Sequence, residues 1–290
     1  MVFIRKKRIK GHDYYYLVRS VRSGKKVKKT EKYLGKKRPT KEQLEKFNVS
    51  ISNYLSERDI EKIEKIKHNF NKEYKQLSRT AKEKFIKGFL IKFTYNTNRI
   101  EGSTLTLRDT RLILVDKIMP KGKTRVEVKE AENHEKAFNC MLQEKGNLSM
   151  DFILKLHSIL LEDIDENAGK IRKENVGIFG TFFKPPRFEE LSYELKAFFE
   201  WYEQAKILHP FELSCLIHLK FVTIHPFTDG NGRMSRLLMN FILKKYSYPM
   251  LDIPYEDREA YYETLERCQL DKIEKPFVSY CLREYLKQYS

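Results

Sequence analysis

At 290 residues with 41% hydrophobic content, the chain suits one sizeable domain plus an appendage and is too apolar to be disordered. No apolar run approaches membrane-spanning length and the N-terminus lacks a secretory hydrophobic segment, so no membrane partner is expected. Cys140, Cys215, Cys268 and Cys281 form no Cys-x-x-Cys pair, which argues against a zinc knuckle or a disulfide framework and for a reducing cytoplasm.

The net charge of +17 is concentrated at the front, where residues 1–38 hold fifteen Lys/Arg against Asp13 and Glu31, a local excess of +13. Residues 14–21 and 26–34 alternate in strand fashion around Ser23-Gly24, so residues 1–38 read as a basic β-hairpin appendage. It resembles the basic hairpin at the front of some transposase-like proteins. Its cations and interleaved tyrosines suit nucleic acid, whose backbone they would neutralise and whose bases they would stack on. A docking or oligomerisation arm would have the same composition.

From Pro39 the character turns helical. Thr40 is placed to cap a helix from Lys41, and 54–78 is charged and amphipathic. Residues 81–100 carry Phe85, Phe89, Ile91 and Phe93, with Gly102 as the stop. A break at Pro120-Lys121-Gly122-Lys123 separates this helical linker region, 39–120, from 121–290, although the helices on either side are expected to pack together. Further helices are expected at 128–144, 150–163, 188–204, 256–267 and 275–288. Between the second and third of these, Phe179-Gly180-Thr181-Phe182 lies in a β-prone stretch closed by Pro185-Pro186. That pattern predicts a short exposed hairpin whose open edge can take up a peptide by strand addition.

The densest chemistry is in His225-Pro226-Phe227-Thr228-Asp229-Gly230-Asn231-Gly232-Arg233-Met234-Ser235-Arg236. The run 211–224 before it is apolar almost all round, as a buried helix requires, and Pro226 should end that helix at His225. Met234, Leu237, Leu238, Phe241 and Ile242 recur at helical spacing after it, which puts a second helix start near Arg233. Gly230, Asn231 and Gly232 free the backbone for positive φ, so that its amides converge at a helix N-terminus and form an anion nest. Asp229 can hold Mg²⁺ against phosphate oxygens, and Arg233 and Arg236 present forked donors. His225 titrates near neutrality and can take a proton from an attacking hydroxyl. The pattern predicts hydroxyl attack on a phosphate ester.

This string resembles the motif of the Fic (filamentation induced by cAMP) family, His-Pro-Phe-x-Asp/Glu-Gly-Asn-Gly/Lys-Arg-x-x-Arg, at every specified position. The resemblance implies a mainly α, Fic-type bundle with a β-hairpin flap, and transfer of AMP from ATP to a Ser, Thr or Tyr hydroxyl of a protein, including the enzyme itself. It assigns His225 as base, Asp229 to Mg²⁺, and Gly230, Asn231 and Gly232 to the α/β-phosphates. Arg233 would also touch phosphates and Arg236 would take the γ-phosphate. Phe179, Gly180, Thr181 and Phe182 would be the target-binding flap, and Tyr261, Tyr262 and Leu265 the adenine pocket. Gln269 stands where the family often has Asn, a departure that bears on base contacts. Thr97-Asn98-Arg99-Ile100-Glu101-Gly102 is similar to the inhibitory pattern Ser/Thr-x-x-x-Glu-Gly/Asn of the subclass that carries it N-terminal to the catalytic motif. By that likeness Glu101, with Thr97, would pair with Arg236 and block the γ-phosphate, or alternatively position water for AMP removal. Homodimers are common in the family. The alternative is a nucleic-acid-binding regulator whose catalytic-looking domain is a sensor.

Overall fold

The computed structural model describes residues 2–9, 12–23, 26–36, 38 and 54–289. Strands β1 (Val2–Ile9), β2 (His12–Ser23) and β3 (Lys26–Gly35) form an antiparallel sheet in the order β1-β2-β3. The hairpin expected at 14–21 and 26–34 is therefore the β2–β3 pair, in which Tyr16 opposes Tyr33, and β1 adds a third strand that was not anticipated. Alternation in β1 is hidden by consecutive basic residues, and only pairing with β2 reveals it. The turn glycine Gly24 and the helix expected from Lys41 lie outside the described residues.

The remainder is helical: α1 (Glu57–Gln76), α2 (Arg79–Ile100), α3 (Leu107–Arg111, continued by a π turn Leu112–Asp116), α4 (Arg125–Gln143) and α5 (Met150–Leu160). There follow α6 (Leu191–Ala205), α7 (Pro210–Ile224), α8 (Asn231–Lys245), α9 (Arg258–Asp271) and α10 (Lys275–Tyr289). Caps move several starts from their expected positions. Ser78 accepts from the Ala81 amide and opens α2 two residues early, and the Thr124–Glu127 capping box starts α4 at Arg125. Residues 188–190 and 255–257 form 3₁₀ turns ahead of α6 and α9. Among the described residues no helix is long and apolar enough to cross a membrane.

The core is built on α7, which is buried nearly all round as its composition predicts. It packs against α6, α8 and α10, while α8 also meets α2 and α4. Leu216, Ile217 and Phe221 on α7 and Leu237, Leu238 and Phe241 on α8 are essentially inaccessible. Burying such side chains contributes about 1.5–3 kcal/mol each before ordering entropy is charged against it. That packing fixes the corner between α7 and α8, and it brings the end of α2 to the start of α8.

Candidate active site

The corner begins where α7 stops. His225 takes left-handed angles, φ 51° and ψ 58°, in keeping with Pro226 displacing its neighbour from the right-handed helical region. Arg172 fastens this turn: its Nε donates to the His225 carbonyl at 2.8 Å, and its amide donates to the Pro226 carbonyl at 3.0 Å. The His225 Nδ1 lies 3.3 Å from the Val222 carbonyl, which can only accept, so this contact assigns the ring proton to Nδ1 and leaves Nε2 as the free lone pair. Burial lowers the His225 pKa below its ordinary value, aided by Arg172, so the imidazole is neutral at pH 7.

The loop is braced from below. Phe227 is fully buried and stacks on His157, with centroids 3.6 Å apart and planes 7° from parallel. His157 accepts from the Gly169 amide at Nδ1 (2.8 Å) and donates from Nε2 to the Asp229 carbonyl (3.1 Å). Burial pushes its pKa down to about 4, so it stays a neutral strut. Asn231 closes the loop by accepting from the Phe227 amide (3.0 Å) and donating to the Phe227 carbonyl (2.9 Å). Of the three loop residues expected to use positive φ, only Gly230 does so, at 76°; Gly232 is already helical. The glycine at 232 answers a different need, since a Cβ there would stand 2.2 Å from Glu101 Oε1.

Both arginines of the motif are buried. Arg233, 2% exposed, donates to Glu130 and to Asp229 at 2.8 Å each. Burial raises the Glu130 pKa even though the Arg233 cation opposes it. Arg236, 1% exposed, donates through Nε to Thr97 Oγ1 (2.7 Å), through Nη1 to Tyr261 (3.2 Å), and through Nη2 to the Thr97 carbonyl (3.3 Å) and the Glu101 carboxylate. Glu101 is the C-cap of α2 and Gly102 follows at φ 100°, as expected of the stop signal. A carboxylate thus sits on Gly232 at the N-terminus of α8, where the helix dipole and the first amides favour negative charge.

Several contributors were not foreseen. Glu130 was not singled out in the sequence, and the place of His157 under Phe227 is set by packing alone. Glu130, Asn133, His134 and Ala137 share one face of α4 at helical spacing, a polar signal on an inward face that was available. His134 accepts from or donates to Thr94 Oγ1 at 2.8 Å, and burial lowers its pKa to about 3.

The segment 171–187 departs from expectation. It carries no strand pairing, and is an extended loop with a turn at Phe179-Gly180, where Gly180 has φ 77°. Arg172 links its limbs instead, donating to the Glu174 and Pro186 carbonyls at 2.7 and 2.6 Å, and the two prolines have no amide to offer a ladder. Glu266 on α9 holds the tip, accepting from Thr181 Oγ1 at 2.7 Å and the Phe182 amide at 2.6 Å. Phe179 and Phe182 point outward, fully and 88% exposed respectively.

The residues expected around adenine divide. Tyr261 is buried against Arg236 and His218, and Tyr262 donates to the Ile100 carbonyl at the end of α2 (2.7 Å), so both reinforce the Glu101 arrangement. Leu265 is buried on the same helix. Gln269 donates to Thr223 at 3.4 Å and borders a cavity of about 400 Å³ that Tyr261, Tyr262 and Leu265 do not line.

Comparison with known proteins agrees with this geometry. The Fic/DOC family model matches residues 147–243. The chain is 36% identical over 205 residues to the protein adenylyltransferase Fic of Nematostella vectensis, covering 68% of this chain and 47% of that protein. It is 34% identical over 222 residues to protein adenylyltransferase fic-1 of Caenorhabditis elegans, with 73% and 43% covered. The chain therefore spans about half the length of the curated relatives it matches. Among solved structures, a Fic domain containing signaling protein from Bacteroides thetaiotaomicron VPI-5482 superposes with a TM-score of 0.71 at 27% identity, covering 80% of this chain and 94% of that one. Fic-1 from C. elegans superposes with a TM-score of 0.68 at 31% identity, covering 80% and 71%.

Proposed function

Because the chain belongs to the Fic/DOC family, we propose that it transfers AMP from ATP to a Ser, Thr or Tyr hydroxyl of a protein, and that Glu101 holds it in check. The observation that carries this reading is the corner 225–232, which puts a neutral imidazole with a free Nε2 beside the amides that open α8. In the reaction, the target hydroxyl oxygen bonds to the α-phosphorus while the bond from that phosphorus to the oxygen bridging to the β-phosphate breaks. Pyrophosphate leaves, and the hydroxyl proton passes to His225 Nε2. Backbone amides at Gly230, Asn231 and Gly232 would hold the phosphates, and Arg233 and Arg236 would neutralise them.

Asp229 fits Mg²⁺ in the mode where one carboxylate and the substrate phosphates supply the ligands, since its side chain is 59% exposed at the mouth of the nest. Bound there, the ion would add positive charge against the phosphate oxygens. The flap would align the target by offering its extended backbone, which carries no strand ladder, with Phe179, Gly180, Thr181 and Phe182 at a tip held by Glu266. Tyr261, Tyr262, Leu265 and Gln269 would come to face the base only after Tyr262 and Arg236 release the end of α2. The Glu101 carboxylate lies against Gly232 and Arg236, and a γ-phosphate taken up by Arg236 would have to displace it, which supports the autoinhibitory reading.

Intact-mass measurement after incubation with ATP and Mg²⁺ tests the chemistry. In a Glu101→Gly background the chain should gain an adenylyl mass, and adding His225→Ala should abolish the gain. Retention of labelling without the imidazole would remove it as the base. Following loss of label from the modified protein, with and without Glu101, separates transfer from removal.

A further inference from the structure

None of the residues assigned to this chemistry lies in the N-terminal sheet. We infer that one face of it is a binding site for single-stranded nucleic acid, with Tyr14, Tyr16 and Tyr33 as a stacking platform edged by Lys7 and Lys36.

The pairing register places these residues together. Tyr16 lies opposite Arg5 on β1 and Tyr33 on β3, and Tyr14 lies opposite Lys7. Side chains directly opposite share a face, and residues two apart on a strand share it as well. Alternation along β2 puts Tyr15 on the other face, and the register shift beside it falls on β3, where Leu34 is the extra residue between the Tyr15–Gly35 and Tyr16–Tyr33 pairs. On that other face Tyr15 is joined by the ion pair of Lys6 with Asp13 at 2.7 Å. The two faces therefore differ in kind.

On the aromatic face the rings touch without sealing one another. Tyr33 stands 5.4 Å from Tyr16 and 6.2 Å from Tyr14, tilted by 52° and 41°, and it remains 50% exposed. Lys7 lies over Tyr16 at 4.7 Å and Lys36 over Tyr14 at 5.8 Å. Aromatic faces interleaved with cations match a polymer that alternates planar bases with phosphates. An acidic protein would satisfy the local +13 charge but would gain little from ring faces. A duplex would satisfy the charge too, but its stacked bases are closed to a tyrosine, which favours a single strand.

Fluorescence anisotropy with the full chain tests this, using a labelled thymidine oligonucleotide, a duplex, and unlabelled heparin as a polyanion without bases. The oligonucleotide should bind more tightly than the duplex and weaken as salt rises. Tyr16→Leu with Tyr33→Leu keeps apolar bulk but no π face, and should weaken single-strand binding about tenfold or more while leaving heparin and duplex binding in place. Tyr16→Phe with Tyr33→Phe should bind within about twofold of the parent, since stacking survives. The inference fails if the parent prefers duplex or does not bind the oligonucleotide. It also fails if the leucine pair leaves single-strand affinity unchanged or reduces heparin binding equally. Binding should be the same in His225→Ala, so its outcome is independent of the transferase reaction.

Discussion

Removing the carboxylate at Glu101 should raise AMP transfer while lowering thermal stability, a pair of opposite effects that follows from its contacts. Arg236 is 1% exposed and the Glu101 side chain 32%, so their bond is shielded on one side only. A hydrogen bond to a charged group contributes about 1.5–3 kcal/mol, and the larger cost of stranding a buried charge, about 3–5 kcal/mol, does not apply in full. After Glu101→Gly, Arg236 keeps Thr97 Oγ1, the Thr97 carbonyl and Tyr261. A nucleotide that needs the same arginine must displace a contact of that size, so its loss should increase the competent population by about 10- to 150-fold. Initial rates of label incorporation from α-labelled ATP, with melting temperature measured in parallel, read both quantities. Glu101→Gln, which keeps the shape and loses the charge, should fall between parent and glycine variant. A melting temperature that drops by several degrees with no rise in labelling would show that the contact is real but not inhibitory, and would refute the reasoning.

Tyr262→Phe loses only the hydrogen bond to the Ile100 carbonyl, so it should release inhibition partially, by about 2- to 12-fold in the same labelling assay. His157→Ala removes the strut under Phe227 and Asp229, and should cut transfer at least about tenfold even in the Glu101→Gly background, read as kcat against KM for ATP. Asp252 is partly buried beside Asn96, which donates to its carboxylate at 2.7 Å, and desolvation raises its pKa from 3.8 to about 7. Its folded form holds a proton more tightly than the unfolded chain, so the stability it contributes is complete below pH 3.8 and is lost as pH rises through about 7. Asp252→Asn should therefore gain in melting temperature over the parent as pH rises from 4 to 7 and hold a constant lead above it; a lead that does not vary with pH would contradict the assignment.

The corner proposed to carry the chemistry was legible because its causes are local. Pro226 ends α7, Gly230 supplies the positive φ that opens α8, and the spacing of Met234, Leu237, Leu238 and Phe241 sets the buried face of α8, all within a few residues. The pairing of Glu101 with Arg236, 135 residues apart, was anticipated only because the string around Thr97 resembles a family pattern. No such guide existed for Glu130 on Arg233, His157 under Asp229, or Glu266 on Thr181, which are 103, 72 and 85 residues apart. The supposed flap hairpin failed for a related reason: β-prone composition marked an extended chain, but Arg172 rather than a ladder joins its limbs. Local sterics and periodicity write the backbone of a turn or helix into neighbouring residues. Which buried charge finds which partner depends on where packing carries each helix, and that is a property of the assembled core alone.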